Sequence, residues 1–372
     1  MTARDDAISS SLAPAAPPDV DADAWDAFVD TNPLGSYLQL SGWARVKAVN
    51  GWRVRRLLDP ADPRVGVQVL LRRPGPLPWA FAYAPRGPVL DAWDGASVGR
   101  LTTLVRDGLR AGPRVSHLRI DPEVERRAGP DEADAVTGAL RSAGWRAAPP
   151  IQPASTRAID LTADEDALWA DLRKKWRQYV NKARAGGVRV VDAGPERLDE
   201  FYRIYRETAD RAGFLIRARS AYGDVWDAYG PAGRARLLFA ELPDGTPAAT
   251  LFLVRAGARV VEPYGGMTQA GADSRANYLL KWEAIRSSKA AGATTYDLWG
   301  LAHAGIAQFK TGFGGREIRY VGAWDLVLDP FGRRTYAVAQ RARVRVERLR
   351  HGLRGAGGAT AAGYSGDAGG DG

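Results

Sequence analysis

The sequence predicts an α/β (α+β) protein of two similar halves, on three observations. Stretches with strand alternation and stretches with helical spacing follow one another along the chain. Three consecutive strands are joined by tight-turn sequences. A strand–turn–helix–strand unit occurs twice.

The elements follow in order. Val65, Val67, Val69 and Leu71 alternate with small or polar residues, as a half-buried strand does. Phe81-Ala82-Tyr83 starts the first repeated unit. A turn at Gly87, a helix from about Ala96 to Ala111 ended by Gly112, and a strand reaching Asp121 complete it. Thr162 and Glu165 form a capping box. Leu168, Leu172, Trp176, Tyr179, Val180 and Ala183 then share one face of a single helix, which Gly186-Gly187 ends. A strand, Val188–Val191, follows. Arg236–Glu241, Ala248–Val254 and Arg259–Tyr264 read as an antiparallel meander through turns at Pro243–Thr246 and Arg255–Ala258. The second unit runs from Val261–Tyr264 through Gly265-Gly266, a helix from about Arg275 to Ala291, and Gly292 to a strand ending at Asp297. The Tyr83–Asp121 and Tyr264–Asp297 intervals are 38 and 33 residues. Duplication explains the pair; so does the chance recurrence any α/β chain offers.

Composition removes several classes. The 372 residues suffice for two or three domains. There is no Cys, which excludes disulfides, thiolate metal sites and a cysteine nucleophile. His117, His303 and His351 show no metal-ligand spacing. No GxxxxGK[ST] loop or GxGxxG turn is present, which argues against nucleotide-hydrolysing and dinucleotide-binding folds. No run approaches the roughly 18 apolar residues of a membrane span. Residues 1–18 lack a signal-peptide apolar core and read as a disordered tail, as does Gly-rich 355–372. The expectation is a cytoplasmic, metal-free monomer that is an enzyme or a binding protein.

The net charge of +9 is uneven. Arg173 to Arg189 holds seven basic residues and no acid, and Arg333 to Arg354 holds eight Arg and one Glu. These two segments carry +14 of a whole-chain +9, so the remainder stands at −5. Such segments meet phosphates on RNA or at an anionic membrane, or they are solvated helix faces. Val338, Val344, Val346, Leu349 and Leu353 make a partial apolar stripe, which predicts a last helix docked on the fold with its Arg outward.

Chemistry is densest at the end of the second unit. Tyr296-Asp297-Leu298-Trp299-Gly300 leads through a Gly-permitted turn to a loop, Gln308-Phe309-Lys310-Thr311-Gly312-Phe313-Gly314-Gly315. A Lys among apolar neighbours can donate to a developing oxyanion; it can equally snorkel from a Gly-rich turn.

This segment resembles the closing Phe-Lys-x-Gly-Phe-Gly-like motif of the FemABX family of peptidoglycan-bridge aminoacyltransferases. Four further stretches agree in order: Gly35–Gln39 through Gly42–Lys47 to Gly51-Trp52, Leu118–Val124, Gly213–Arg217 up to Tyr222, and Ala276–Glu283. The resemblance spans about residues 20–330. It implies two tandem acetyltransferase-like (GNAT-like) domains with mixed sheets flanked by helices. Domain one would be 19–158, completed by about 322–354, and domain two 159–321.

The activity implied is transfer of an amino acid from aminoacyl-tRNA to a stem-peptide amine of a lipid-linked or nucleotide-linked precursor. No cofactor is implied; aminoacyl-tRNA is a co-substrate. Peripheral contact with the inner membrane face would suit a lipid-linked acceptor. Lys310 matches the lysine of the acyl-transfer step, with Phe309 beside it. Lys47, with Arg45 as a competitor, and Arg217 match the residues that hold the precursor's phosphates. Tyr222 and Tyr264 match aromatic positions near the peptide, and Trp299 lies in the matching turn. Asp121 falls in a matching motif and reads first as a structural turn residue. No sustained heptads lie between 185 and 250, so the family's coiled-coil arm is absent. An acyl-CoA N-acyltransferase is the rival enzyme class, but no Gln/Arg-x-x-Gly-x-Gly/Ala pyrophosphate loop is cleanly placed. A non-catalytic RNA-binding protein is the third reading.

Overall fold

The computed structural model describes residues 20–354 apart from 74, 76, 127–129, 302 and 303; the expected tails lie outside them. Helices α1 (Ala22–Thr31) and α2 (Ser41–Ala48) precede strands β1 (Arg53–Asp59), β2 (Asp62–Arg72), β3 (Ala80–Ala84) and β4 (Val89–Leu90). Then come α3 (Gly95–Gly108), β5 (Val115–Ile120), α4 (Pro130–Ser142), β6 (Trp145–Ala148) and β7 (Ser155–Asp160). The chain continues through α5 (Glu165–Asp171), α6 (Lys174–Ala185), β8 (Arg189–Ala193), α7 (Leu198–Ala212) and α8 (Arg219–Tyr229). The meander β9 (Ala235–Glu241), β10 (Pro247–Ala256) and β11 (Arg259–Met267) follows. Last come α9 (Gln269–Asp273), α10 (Ala276–Ala290), β12 (Thr295–Asp297), α11 (Ala304–Thr311), β13 (Arg316–Arg319), β14 (Ala323–Val327) and α12 (Pro330–Arg354).

Two mixed sheets result. One runs β1-β2-β3-β5-β14-β6, with β4 on β2; the other runs β13-β7-β12-β11-β10-β9-β8. Each contains one parallel pair closed by a helical crossover: β3 and β5 around α3, and β11 and β12 around α10. These crossovers are the two repeated units of the sequence. Strand β14 enters the first sheet between β5 and β6 after the chain has completed the second. The boundary expected at 158/159 falls inside β7, which pairs wholly with β12 and β13 of the second sheet. The second unit therefore begins before Ser155.

Period-two alternation decides where the cores lie. Ala80, Ala82 and Ala84 of β3 face the core under α3 and α4, while Phe81 and Tyr83 point the other way. Ala249, Leu251 and Leu253 of β10 face α10, and Phe252 and Val254 the opposite side. The opposite sides share a third core in which Trp25, Tyr37 and Trp43 meet Phe201, Tyr222, Tyr229 and Phe252. Each such buried ring contributes about 1.5–3 kcal/mol, so the two units are joined by an aromatic seam.

Three local expectations change. The helix foreseen from Thr162 to Ala185 is broken at Leu172-Arg173. Asp164, not Thr162, caps α5 by accepting from Ala167 N, while Thr162 bonds Asp160. The break is held because Arg173 N donates to Gly312 O and the Arg177 guanidinium donates to the carbonyls of Trp169, Ala170 and Leu172. Lys310 stands on a helix, α11, rather than in a loop. Of the apolar stripe expected to dock the C-terminal helix, Val338 does not: it is 64% exposed. The side chains of Val344, Val346, Leu349 and Leu353 lie outside those described.

Candidate active site

Lys310 is near the C-terminus of α11 and half-buried. The glycines after it lock the helix end in place. Gly312 lies against the Trp176 indole, where a Cβ would collide. Gly314 and Gly315 take φ of +83° and +69°, conformations a side chain resists. That turn lets Arg157 reach the Gly314 and Gly315 carbonyls at 2.5 and 2.7 Å, and Asp171 accept from Gly315 N at 2.7 Å. The cluster serves close packing of backbone on α5, α6 and β7.

The Lys310 ammonium donates to the carbonyls of Trp299 and Gly300, at 2.7 and 2.8 Å. An ammonium has three protons, so these bonds leave one to give. Burial pulls its pKa down to about 8; Glu262 and Asp297 act against that and Lys281 with it. At neutral pH the group is mostly a cation with a spare donor.

The two carbonyls are aimed by an unusual backbone. Trp299 has φ +55° and its N–H donates to Asp297 Oδ1 at 2.7 Å. Asp297 is buried, also accepts from the Thr156 hydroxyl, and pairs with Arg259. Arg259 in turn pairs with Glu123, and Glu123 faces Arg86 at 3.3 Å. Two members come from each unit: Arg86 and Glu123 from the first, Arg259 and Asp297 from the second. Burial disfavours the Asp297 charge, yet Arg259, Thr156 and the Trp299 N–H hold its pKa below the usual carboxylate range. The Arg86 guanidinium lies 5.1 Å from the Trp299 ring and 4.5 Å from that of Tyr320.

The seam carries most of the remaining expected residues. Two cations reach Trp43, with Lys47 Nζ 5.0 Å and the Arg217 guanidinium 5.7 Å from its ring. Tyr37 touches Trp43 at 5.9 Å and Trp299 at 5.7 Å between centroids, so rings connect the Lys47/Arg217 pair to the Lys310 cradle. Tyr222 and Tyr264 meet edge to face at 5.1 Å, and the Tyr222 hydroxyl accepts from Arg217 N at 3.2 Å. Burial raises the pKa of both phenols, which stay neutral donors.

Three residues are placed otherwise. Arg45 is exposed and ties α2 to α8 by donating to Ala228 O at 2.7 Å. Phe309 packs between Tyr278 and Phe313, at 5.3 and 5.2 Å, inside the second unit. Asp121 is buried and accepts from Tyr83 Oη, Arg86 N and Gln152 N at 2.7, 2.7 and 3.1 Å; burial raises its pKa. Its bonds brace the seam from the first unit.

The model of the FemAB family matches residues 20–244 and 243–342. The chain belongs to the FemAB family. Among similar proteins, a lipid II:glycine glycyltransferase of Staphylococcus aureus (strain MRSA252) is 24% identical over 383 residues, 82% of this chain and 91% of that one. A lipid II:glycine glycyltransferase of Staphylococcus saprophyticus is 32% identical over 231 residues, 59% of this chain and 54% of that one. The crystal structure of FemX matches with TM-score 0.76 and 22% identity, over 84% of this chain and 97% of that one. A tandem GNAT protein from the clavulanic acid biosynthesis pathway matches with TM-score 0.51 and 13% identity, over 85% and 98%. These structural likenesses establish the fold as two tandem GNAT-like units.

Sequence reasoning missed some of what this FemAB-family site contains. Trp43, Tyr37 and Glu123 lie inside the family-like motifs, but nothing local gives them a role. Arg86 and Arg259 carried no signal: each borders a turn, and their partners lie in other elements. Asp297 lies in the chemistry-dense segment and ends a strand, but nothing local gives it a role of its own. In this family member, the arrangement gathers the cations Lys47 and Arg217 at Trp43 and presents a positioned cation at Lys310.

Proposed function

We propose that this protein forms an amide bond between an aminoacyl group, delivered as a tRNA ester, and the stem-peptide amine of a lipid-linked peptidoglycan precursor. The carrying observation is the Lys310 ammonium, held on two backbone carbonyls with one proton uncommitted. The names of the relatives support the lipid-linked acceptor.

The amine nitrogen attacks the ester carbonyl carbon, and a tetrahedral oxyanion forms. Lys310 donates its free proton to that oxygen as a hydrogen bond. Collapse breaks the bond to the ribose oxygen, which leaves as a hydroxyl carrying the proton lost by the amine. The remaining task is near-attack positioning, and the seam between Lys47/Arg217 and Trp299 suits it. The exposed cations Arg173, Lys174, Lys175 and Lys182 of the α6 segment fit the tRNA. Trp176 of the same helix donates to Phe309 O of α11 at 3.1 Å, so that face adjoins the Lys310 helix.

The test is a transfer assay with a panel of charged tRNAs against lipid-linked and nucleotide-linked precursors, the product read by mass. A new amide on the lipid-linked precursor is expected. No transfer from any charged tRNA, with acyl transfer from acetyl-CoA instead, overturns the reading.

A further inference from the structure

We propose that α12 is an interfacial helix that lies on an anionic lipid bilayer. The proposal stands apart from the acyl-transfer reading, because its test reads binding without turnover.

The base of α12 is fastened to the first unit by one face. The Arg333 guanidinium donates to Asp325 at 2.8 Å, Gly332 lies against Trp79, and the Tyr336 ring packs 5.0 Å from both Phe81 and His117. At about 100° per residue, Phe331 and Val338 project toward the opposite face, where the Phe331 ring still leans on Trp79, 5.5 Å between centroids. They are 68% and 64% exposed, among the most exposed large apolar residues described. Arg334, Arg341, Ala342 and Arg345 are exposed beside them.

The sequence continues this pattern. Phe331, Val338, Ala342, Val346, Leu349 and Leu353 fall within one stripe of roughly 80° on a helical projection. Arg334, Arg341, Arg345 and Arg348 flank it on one side, and Arg343, Arg350 and Arg354 on the other. Glu347 lies opposite the stripe.

Exposed apolar positions bordered by exposed Arg, in a sequence pattern that repeats along the helix, suit a bilayer surface. The stripe enters the acyl boundary and the guanidinium groups stay at the phosphates. RNA would pair with the Arg and leave the stripe in water. A second copy would bring the same Arg flanks together. The helix is no membrane span, and no described helix is long and apolar enough to be one. Its position also fits. Phe81 touches both Tyr336 of α12 and Trp52, at 5.0 and 6.2 Å, and Trp52 closely follows the helix that carries Lys47. The helix therefore starts two ring contacts from the segment that follows Lys47.

The experiment is co-sedimentation of the full chain with vesicles of phosphatidylcholine alone or with one third phosphatidylglycerol, at rising salt. Binding to the anionic vesicles only is expected. Arg341→Gln with Arg345→Gln should weaken it about 25-fold, at about 1 kcal/mol per Arg. Val338→Ser should weaken it roughly ten-fold through lost apolar burial. Both variants change exposed positions, and circular dichroism checks that they fold. No binding to anionic vesicles overturns the proposal. So does loss with the Arg variant but not with Val338→Ser, which would mean a charged surface that inserts nothing. Unacylated tRNA is the third arm: binding to it, lost in the Arg variant, without vesicle binding would assign the helix to RNA.

Discussion

Replacing Asp297 should be costly for stability and for catalysis, by separable routes. Asp297→Ala leaves Arg259 buried with Glu123 as its remaining carboxylate, and strips an acceptor from Thr156 and from Trp299 N. Breaking a buried pair by removing one partner costs about 3–5 kcal/mol. The left-handed Trp299 backbone stores about 1–2 kcal/mol, and without Asp297 it is free to relax. Relaxation moves the two carbonyls that hold Lys310. Asp297→Asn keeps an acceptor for Trp299 N but lacks the charge, so it should melt between parent and Ala variant and retain more transfer activity. For a unit of this size the Ala variant should melt about 6–20 °C lower. Adding Arg259→Met should cost less than the two single losses summed, because the Arg86–Glu123 pair then balances itself. Calorimetry and transfer kinetics are the assays. kcat should fall while KM for the precursor holds, since Lys47 and Arg217 stand on other elements. An Ala variant melting within about 2 °C of the parent with unchanged kcat would refute the reasoning.

Lys310→Met should lower kcat about 100- to 1000-fold, the usual effect of losing one oxyanion donor. With the Lys310 pKa near 8, the donor is lost as pH rises through 8, so the pH–rate profile should show an alkaline limb there. Lys310→Arg should move that limb upward wherever it retains activity. His117 is buried and its pKa is lowered by that burial to about 3, against 6.5 when exposed. The unfolded chain then takes a proton below pH 6.5 that the folded chain refuses. Stability should therefore fall as pH drops from 6.5 toward 3, by at most about 4–5 kcal/mol, and His117→Gln should flatten that part of the melting profile. Arg217→Ala should raise KM for a phosphate-bearing precursor and leave kcat nearly unchanged, and the penalty should shrink at high salt, as steady-state kinetics at two ionic strengths would reveal.

Much of the secondary structure was legible because it is written in local periodicity. The meander has the turns and strands expected of it, and the second crossover helix stops just before Gly292 as signalled, while the first stops at Gly108, four residues ahead of Gly112. Helix breaks were harder. The expected capping box at Thr162 lost to Asp164, and nothing near Leu172 announces a break whose stabilising partner, Gly312, lies 140 residues on. The Lys310 segment could be found by its composition and by family resemblance, but its helix was hidden behind glycines that read as loop.

By itself, the sequence determined the two α/β crossover units, the charge-segregated segments and the identity of a lone Lys among aromatic residues. These follow from nearest-neighbour chemistry: alternation, capping and turn residues act within a few positions. The tertiary structure alone decided that Arg86 and Glu123 would meet Arg259 and Asp297, that Lys47 and Arg217 would both reach Trp43, and that Tyr336 of α12 would pack on Phe81 and His117. Each is a contact between elements far apart in the chain. Burial and Coulomb attraction select such contacts across the aromatic seam that the two sheets share.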